Sequence, residues 1–205
     1  MPPVRSRGVS RRSFVKAAVA IGGAAALAAC QSREGPDLPT GTDDPASLPA
    51  RQHAWNDVLS RDDHGNVVQP RHRVLLLLDY AGDDGIPTAA DRETVAAALD
   101  ALERAYPRSN EGLFVTTSYS PAYFDRFDEP LHAGVDLPAP GALAPFEDPA
   151  VDSPDALVHL ASDYGSVVLG AEEALRGEAG GLNGVDVEPL PGAVDRTERG
   201  TGFIG

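Results

Sequence analysis

The first strong pattern along the chain is the unbroken apolar run Val74 to Leu78, set within Arg73–Tyr80. It is apolar on both alternating faces, which predicts a strand covered on both sides. A Gly/Asp loop from Ala81 to Pro87 follows, and the period then changes. Val95, Ala98, Leu99, Leu102 and Tyr106 fall on one face of a helix. Thr88-Ala89-Ala90-Asp91 predicts its start, with an acid in the first turn, and Pro107 predicts its end. Leu113 to Ser118 reads as a second strand, and Pro121 as the first turn of a short helix.

A long Pro-rich loop from Asp128 to Pro154 leads to a third strand, Ala156 to Ala161. Ser162 or Asp163 is placed to cap the next helix. Val167, Val168, Ala171, Ala174 and Leu175 form its apolar stripe, and Gly177 stops it. A Gly-rich linker (Gly180, Gly181, Gly184) precedes a weaker segment, Val185 to Gly205, where a fourth strand is expected. The order β-α-β-β-α-β predicts an α+β, ferredoxin-like antiparallel sheet with both helices on one face. Strands apolar on both sides then call for a second layer over the other face, and no other part of the chain reads as one.

Upstream of the first strand the pattern is different. Residues 31–50 are rich in Pro, Gly, Asp, Ser and Thr and read as a disordered tether. Arg51 to Leu59 suggests a short helix with Trp55 as its anchor, and Asp62-Asp63-His64-Gly65-Asn66 is turn chemistry. The folded domain is therefore expected over residues 51–205.

Residues 1–30 read as a signal. Ser10-Arg11-Arg12-Ser13-Phe14-Val15-Lys16 precedes the apolar stretch Ala17 to Ala29. That stretch is too short to span a bilayer comfortably, but it fits a signal core. The Arg11-Arg12 pair followed by Phe14 resembles a twin-arginine signal read by the twin-arginine translocase. Leu27-Ala28-Ala29-Cys30 resembles a lipoprotein cleavage box, with Cys30 as the lipid attachment point. The expected location is the outer face of the cytoplasmic membrane, held there through lipidated Cys30.

Charge sharpens the picture. The chain has 205 residues, 17 basic and 31 acidic, for a net charge of −14. Five of the basic residues and none of the acids lie in residues 1–30, which leaves 12 basic residues and a net charge of −19 beyond them. Such a surface suits high salt, where screening removes self-repulsion. No basic patch supports nucleic-acid binding. The single cysteine, Cys30, excludes a disulfide within the chain and multi-Cys metal sites.

Candidate chemistry is sparse. The five histidines (His53, His64, His72, His132 and His159) show no metal-ligand spacing. His159 lies mid-strand, as a core or interface histidine does, and His72 reads as a surface residue. The acidic segment Asp79 to Glu93 misses the calcium-loop spacing, with Ala81 and Asp84 at the wrong positions. Asp62-Asp63 and Asp83-Asp84 read as solvated pairs. Ser118 and Ser120 lack the context of a nucleophile elbow. No catalytic residue and no metal ligand is assigned.

The run Gly112-Leu-Phe-Val-Thr-Thr-Ser-Tyr-Ser-Pro-Ala-Tyr-Phe-Asp-Arg-Phe, a Pro-rich loop, and Asp155-Ala-Leu-Val-His-Leu-Ala-Ser-Asp before a helix occur in that order. This order resembles the N-terminal half of the dye-decolourising (DyP-type) heme peroxidases. Gln52-His53-Ala54 and Pro70-Arg71-His72 are similar to that family's opening segment. The resemblance covers roughly residues 50 to 180 and implies a heme-dependent, peroxide-using oxidoreductase. In that family the heme site lies mainly in a second ferredoxin-like half, with a Gly-x-x-Asp-Gly motif, a distal Arg and a proximal His. The chain has no such motif, so no catalytic residue of the family maps onto a position here. The resemblance implies a missing C-terminal half as partner. The alternative is a non-catalytic lipoprotein that forms a homodimer, or binds a partner, through its open sheet face.

Overall fold

The computed structural model describes residues 36–49, 51, 53–128, 135, 141–148 and 152–204. Arg11, Arg12, Phe14, Cys30 and His132, and most of the Pro-rich loop, lie outside the described residues. The chain divides into two units, 1–37 and 38–205; Pro36 and Asp37 are the described residues of the first.

The second unit is an α+β fold. Its strands are β1 (His72–Tyr80), β2 (Phe114–Tyr119), β3 (Ala156–Ser162), β4 (Gly181–Leu182), β5 (Val185–Asp186) and β6 (Val194–Phe203). Its helices are α1 (Ala89–Ala105), α2 (Pro121–Phe124) and α3 (Gly165–Leu175). The main sheet has the order β2-β3-β1-β6, and its neighbours are antiparallel throughout. Short β4 and β5 pair separately. This is the ferredoxin-like arrangement that the sequence pattern predicts, with α1 and α3 packed on one face.

The apolar alternation decides the packing. Val74, Leu76 and Leu78 of β1 and Val158 and Leu160 of β3 point to the helices. There they meet Ala98, Ala101, Leu102 and Ala105 of α1, and Val167, Val168, Ala171, Ala174 and Leu175 of α3. Leu76, Leu102, Leu160 and Leu175 are fully buried, so truncating any one to Ala costs about 2–5 kcal/mol. Thr88 caps α1 through a capping box with Asp91, in which each residue's backbone N–H donates to the other's side chain.

Four local differences from the sequence pattern stand out. Neither Ser162 nor Asp163 caps α3. Tyr164 is the N-cap residue, and Ser162 Oγ accepts its N–H at 3.1 Å. Arg51–Leu59 contains only a single 3-10 turn, Ala54–Asp57. The Gly-rich linker folds as the β4–β5 hairpin, whose Asn183-Gly184 turn has φ of 49° and 80°. That left-handed pair suits the right-handed twist of a two-residue hairpin. Finally, Leu38–Pro49, within the expected tether, packs on α1. Gly41 N–H donates to Arg104 O at 2.8 Å, and Leu38 joins the core. A Cβ at Gly41 would collide with the carbonyl oxygens of Glu103 and Tyr106, so glycine is what allows this approach.

The opposite sheet face is covered at one end. Trp55 and Leu59 pack on Phe114 and Ala161 as a small second core. The sequence pattern foresaw no such cover from within the chain. Further along, Leu75 stays 37% exposed, and Leu77 and Leu157 are half-buried. Among the described residues, nothing else lies over this face as a layer.

Candidate functional site

Motifs far apart in sequence meet at the end of the sheet where β1 and β2 finish and β3 begins. Asp155, just before β3, is buried. One carboxylate oxygen accepts the Tyr80 backbone N–H at 2.6 Å, and the other accepts Arg126 Nε at 2.7 Å. Its own N–H donates to Asp79 Oδ1 at 3.0 Å, and its carbonyl accepts the Ser120 N–H at 3.0 Å. Arg126 also donates to Gly85 O at 2.8 Å. Asp155 and Arg126 therefore clasp the ends of all three strands and the β1–α1 loop. A buried carboxylate needs this many donors to offset its lost hydration.

Beside the clasp lies a cleft of about 60 Å³ between the sheet and the first turns of α1. Its walls include Leu78, Val95, Thr117, Ala156 and Val158, together with Tyr80, Tyr119 and Tyr123. Tyr119 and Tyr123 pack tilted at 4.6 Å, and Tyr123 meets Phe127 edge-on at 5.3 Å. Arg92 stands 5.7 Å over the Phe127 ring. Tyr80 donates its hydroxyl to Asp91 Oδ2 at 3.0 Å. Burial, then Asp91, pushes the Tyr80 phenol above its ordinary range. The bonds from Thr88 hold the Asp91 carboxyl below its ordinary range. Burial also raises Tyr119, with Tyr123 adding to it. The cleft offers apolar walls, phenol hydroxyls and the Asp91 carboxylate, which suit binding.

The other candidate residues lie apart from it. His159 faces the open side of the sheet, opposite Thr116. Burial, then Arg73, lowers its pKa. His72 packs tilted against Phe203 at 5.2 Å, and His53 lies edge-on to Trp55 at 6.0 Å. Asp62 closes a turn by accepting the N–H groups of His64 and Asn66 at 2.9 and 2.8 Å. Ser118 is exposed. Ser120 Oγ is buried without a partner among the described residues. Asp83 and Asp84 are exposed in the loop before α1. Among the described residues, no group of three His, Cys, Asp or Glu could hold a metal ion. No described helix is long and apolar enough to cross a membrane.

These elements define an α+β protein of ferredoxin-like architecture. Residues 70–205 match the model of a family of unknown function, DUF7405, and the chain belongs to that family. No curated protein matches it. Among solved structures, a dye-decolorizing protein from V. cholerae is similar over 71% of this chain and 42% of its own, with 13% identity and a TM-score of 0.44. DyPB from Rhodococcus jostii RHA1 is similar over 67% and 40%, with 16% identity and a TM-score of 0.39. A DyP-type peroxidase from Cellulomonas bogoriensis is similar over 73% and 43%, with 19% identity and a TM-score of 0.39. The chain spans less than half the length of these structures.

Proposed function

We propose that the chain supplies one ferredoxin-like half of an exported, membrane-tethered, DyP-like heme peroxidase. In this reading the twin-arginine signal carries it out, and Cys30 anchors it. The observation that supports the reading is the clasp. The two sequence motifs that resemble the peroxidase family, Ser120–Phe127 and Asp155–Asp163, are joined by the Arg126–Asp155 ion pair and by the Ser120–Asp155 backbone bond. They act as one structural unit.

The described residues do not themselves fit a heme. His159 lines a hollow of only about 30 Å³, His72 packs tilted against Phe203, His53 lies edge-on to Trp55, and the 60 Å³ cleft has no histidine in its walls. In this reading the iron ligand belongs to a companion half, and the role of this chain is to scaffold it. Affinity purification of the tagged chain from the membranes of its own host tests this. The expected result is a heme-containing assembly that oxidises a dye only with peroxide, and whose tether is lost in Cys30→Ser. An assembly with neither heme nor peroxide-dependent activity overturns the reading. So does a one-to-one Soret band from the chain alone.

A further inference from the structure

The open sheet face holds one feature that neither the clasp nor the cleft uses. Near its covered end, Arg73, Thr116 and His159 line a hollow of about 30 Å³, walled by Trp55, Pro70 and Phe114. Arg73 is half-buried. Its Nη2 donates to the neutral Gln69 Oε1 at 3.1 Å. Its Nε is sealed from solvent and has no acceptor among the described residues. The chain carries 31 acidic residues, yet among the described residues no carboxylate lines this hollow. A sealed Nε takes no acceptor from solvent, so the outer guanidinium nitrogens are the ones a carboxylate would meet, and they match it in shape and charge.

The neighbouring groups complete the match. Thr116 and His159 are directly opposite on β2 and β3 and bring a hydroxyl and an imidazole to the same wall. Burial and Arg73 favour the neutral imidazole, so His159 offers a hydrogen bond without a second charge. The hollow has room for about two waters, which is the size of one carboxylate head and not of a ring. Leu75 lies opposite His159 in the pairing register, and it is 37% exposed. Leu157 lies two residues from His159 on the same face. An apolar tail leaving the hollow would rest on these leucines.

We propose that this hollow is a receptor for the carboxylate of a small amphiphilic acid, with Arg73 as its ion partner and Thr116 and His159 as hydrogen-bonding groups. The site lies across the sheet from the cleft and shares no residue with it. Trp55 is the chain's one tryptophan and forms a wall of the hollow, so its emission reports occupancy directly. The test titrates the full chain with sodium acetate, butyrate and hexanoate at constant ionic strength.

A saturable emission change is expected, tightening by up to about fourfold per methylene that lands on the leucines. Arg73→Met should weaken binding by about tenfold or more, and Thr116→Val by about threefold. Arg176→Gln, a surface change outside the hollow, should leave it unaltered. If Arg73→Met fails to fold, Arg73→Lys, which keeps the charge without the fork, should still weaken binding. The proposal is overturned if no acid gives a saturable response, if methyl hexanoate binds as tightly as hexanoate, or if the Arg73 variants bind normally. It is also overturned if sedimentation equilibrium shows a dimer that Leu75→Glu dissociates and hexanoate does not, because the face then belongs to a second copy.

Discussion

At the scale of single residues, Glu172 shows how a buried charge is held. It lies on the buried stripe of α3, only 4% exposed. Arg199 reaches both of its oxygens at 2.7 and 2.7 Å, and Arg196 reaches one at 2.7 Å. Strict alternation along β6 would send residues 196 and 199 to opposite faces. The register shift between Leu77 and Leu78 places one extra β6 residue there, and both arginines then point to the helix side. The sequence offered no sign of this, because Glu172 reads as one more acid on a helix and a bulge leaves no pattern in a polar strand. The Arg199 bonds hold the Glu172 carboxyl below its ordinary 4.5, against the opposing effect of burial. A depressed carboxyl stabilises the fold above its unfolded-state pKa, and that contribution disappears as the pH falls through the folded value. Glu172→Gln should therefore cost about 2 kcal/mol at neutral pH, between the exposed and buried limits because both arginines are about one-third exposed. It should also flatten the decline of stability below pH 4.5. Urea titrations from pH 3 to 7 would measure both effects; parallel curves for the two proteins would show that Glu172 is not the acid-sensitive group.

At the scale of elements, legibility follows how local the cause is. The three main strands and both long helices were visible because each carries its own period, of two or 3.6 residues. The β4–β5 hairpin was also signalled, by Asn183-Gly184, but the surrounding glycines make it read as linker. The docking of Leu38–Pro49 could not be read, since its Pro- and Asp-rich composition resembles a tether and its partners are backbone groups far away. Asn183 is the link between the two: its amide donates to the carbonyls of Leu38, Pro39 and Ala105 at 3.2, 3.2 and 2.7 Å. Asn183→Asp replaces those donors with a carboxylate facing three carbonyls. The expected outcome is a loss of about 1–2 kcal/mol, with faster hydrogen exchange at Gly41, whose N–H bonds to Arg104 O. The amides of β1 and β3 should stay protected. Unchanged exchange at Gly41 would mean that the segment is held by Leu38 packing alone.

At the scale of the whole molecule, the architecture was legible and the sites were not. Arg126 and Asp155 sit 29 residues apart with a long loop between them, and Arg73 is one of many arginines until its missing partner is seen in three dimensions. Charge is the one molecular property that sequence states completely. With 31 acids against 17 basic residues, the folded chain concentrates repulsion that the unfolded chain can relax. The exposed pairs Arg51–Asp57 and Arg176–Glu178 oppose this only weakly, since such pairs contribute about 0–1 kcal/mol each. Salt should therefore stabilise the fold on balance. The screening length falls from about 10 Å at 0.1 M to about 3 Å at 1 M, so most of the gain should come within that range. The expected rise is about 1–2 kcal/mol, the scale of a few exposed charge interactions. Urea unfolding in rising KCl is the suitable measurement, because urea adds no ions of its own. A midpoint that climbs to about 1 M and then levels identifies screening as the cause. A midpoint that falls with KCl would show that attractive pairs outweigh the acidic surplus, and that the composition is no adaptation to salt.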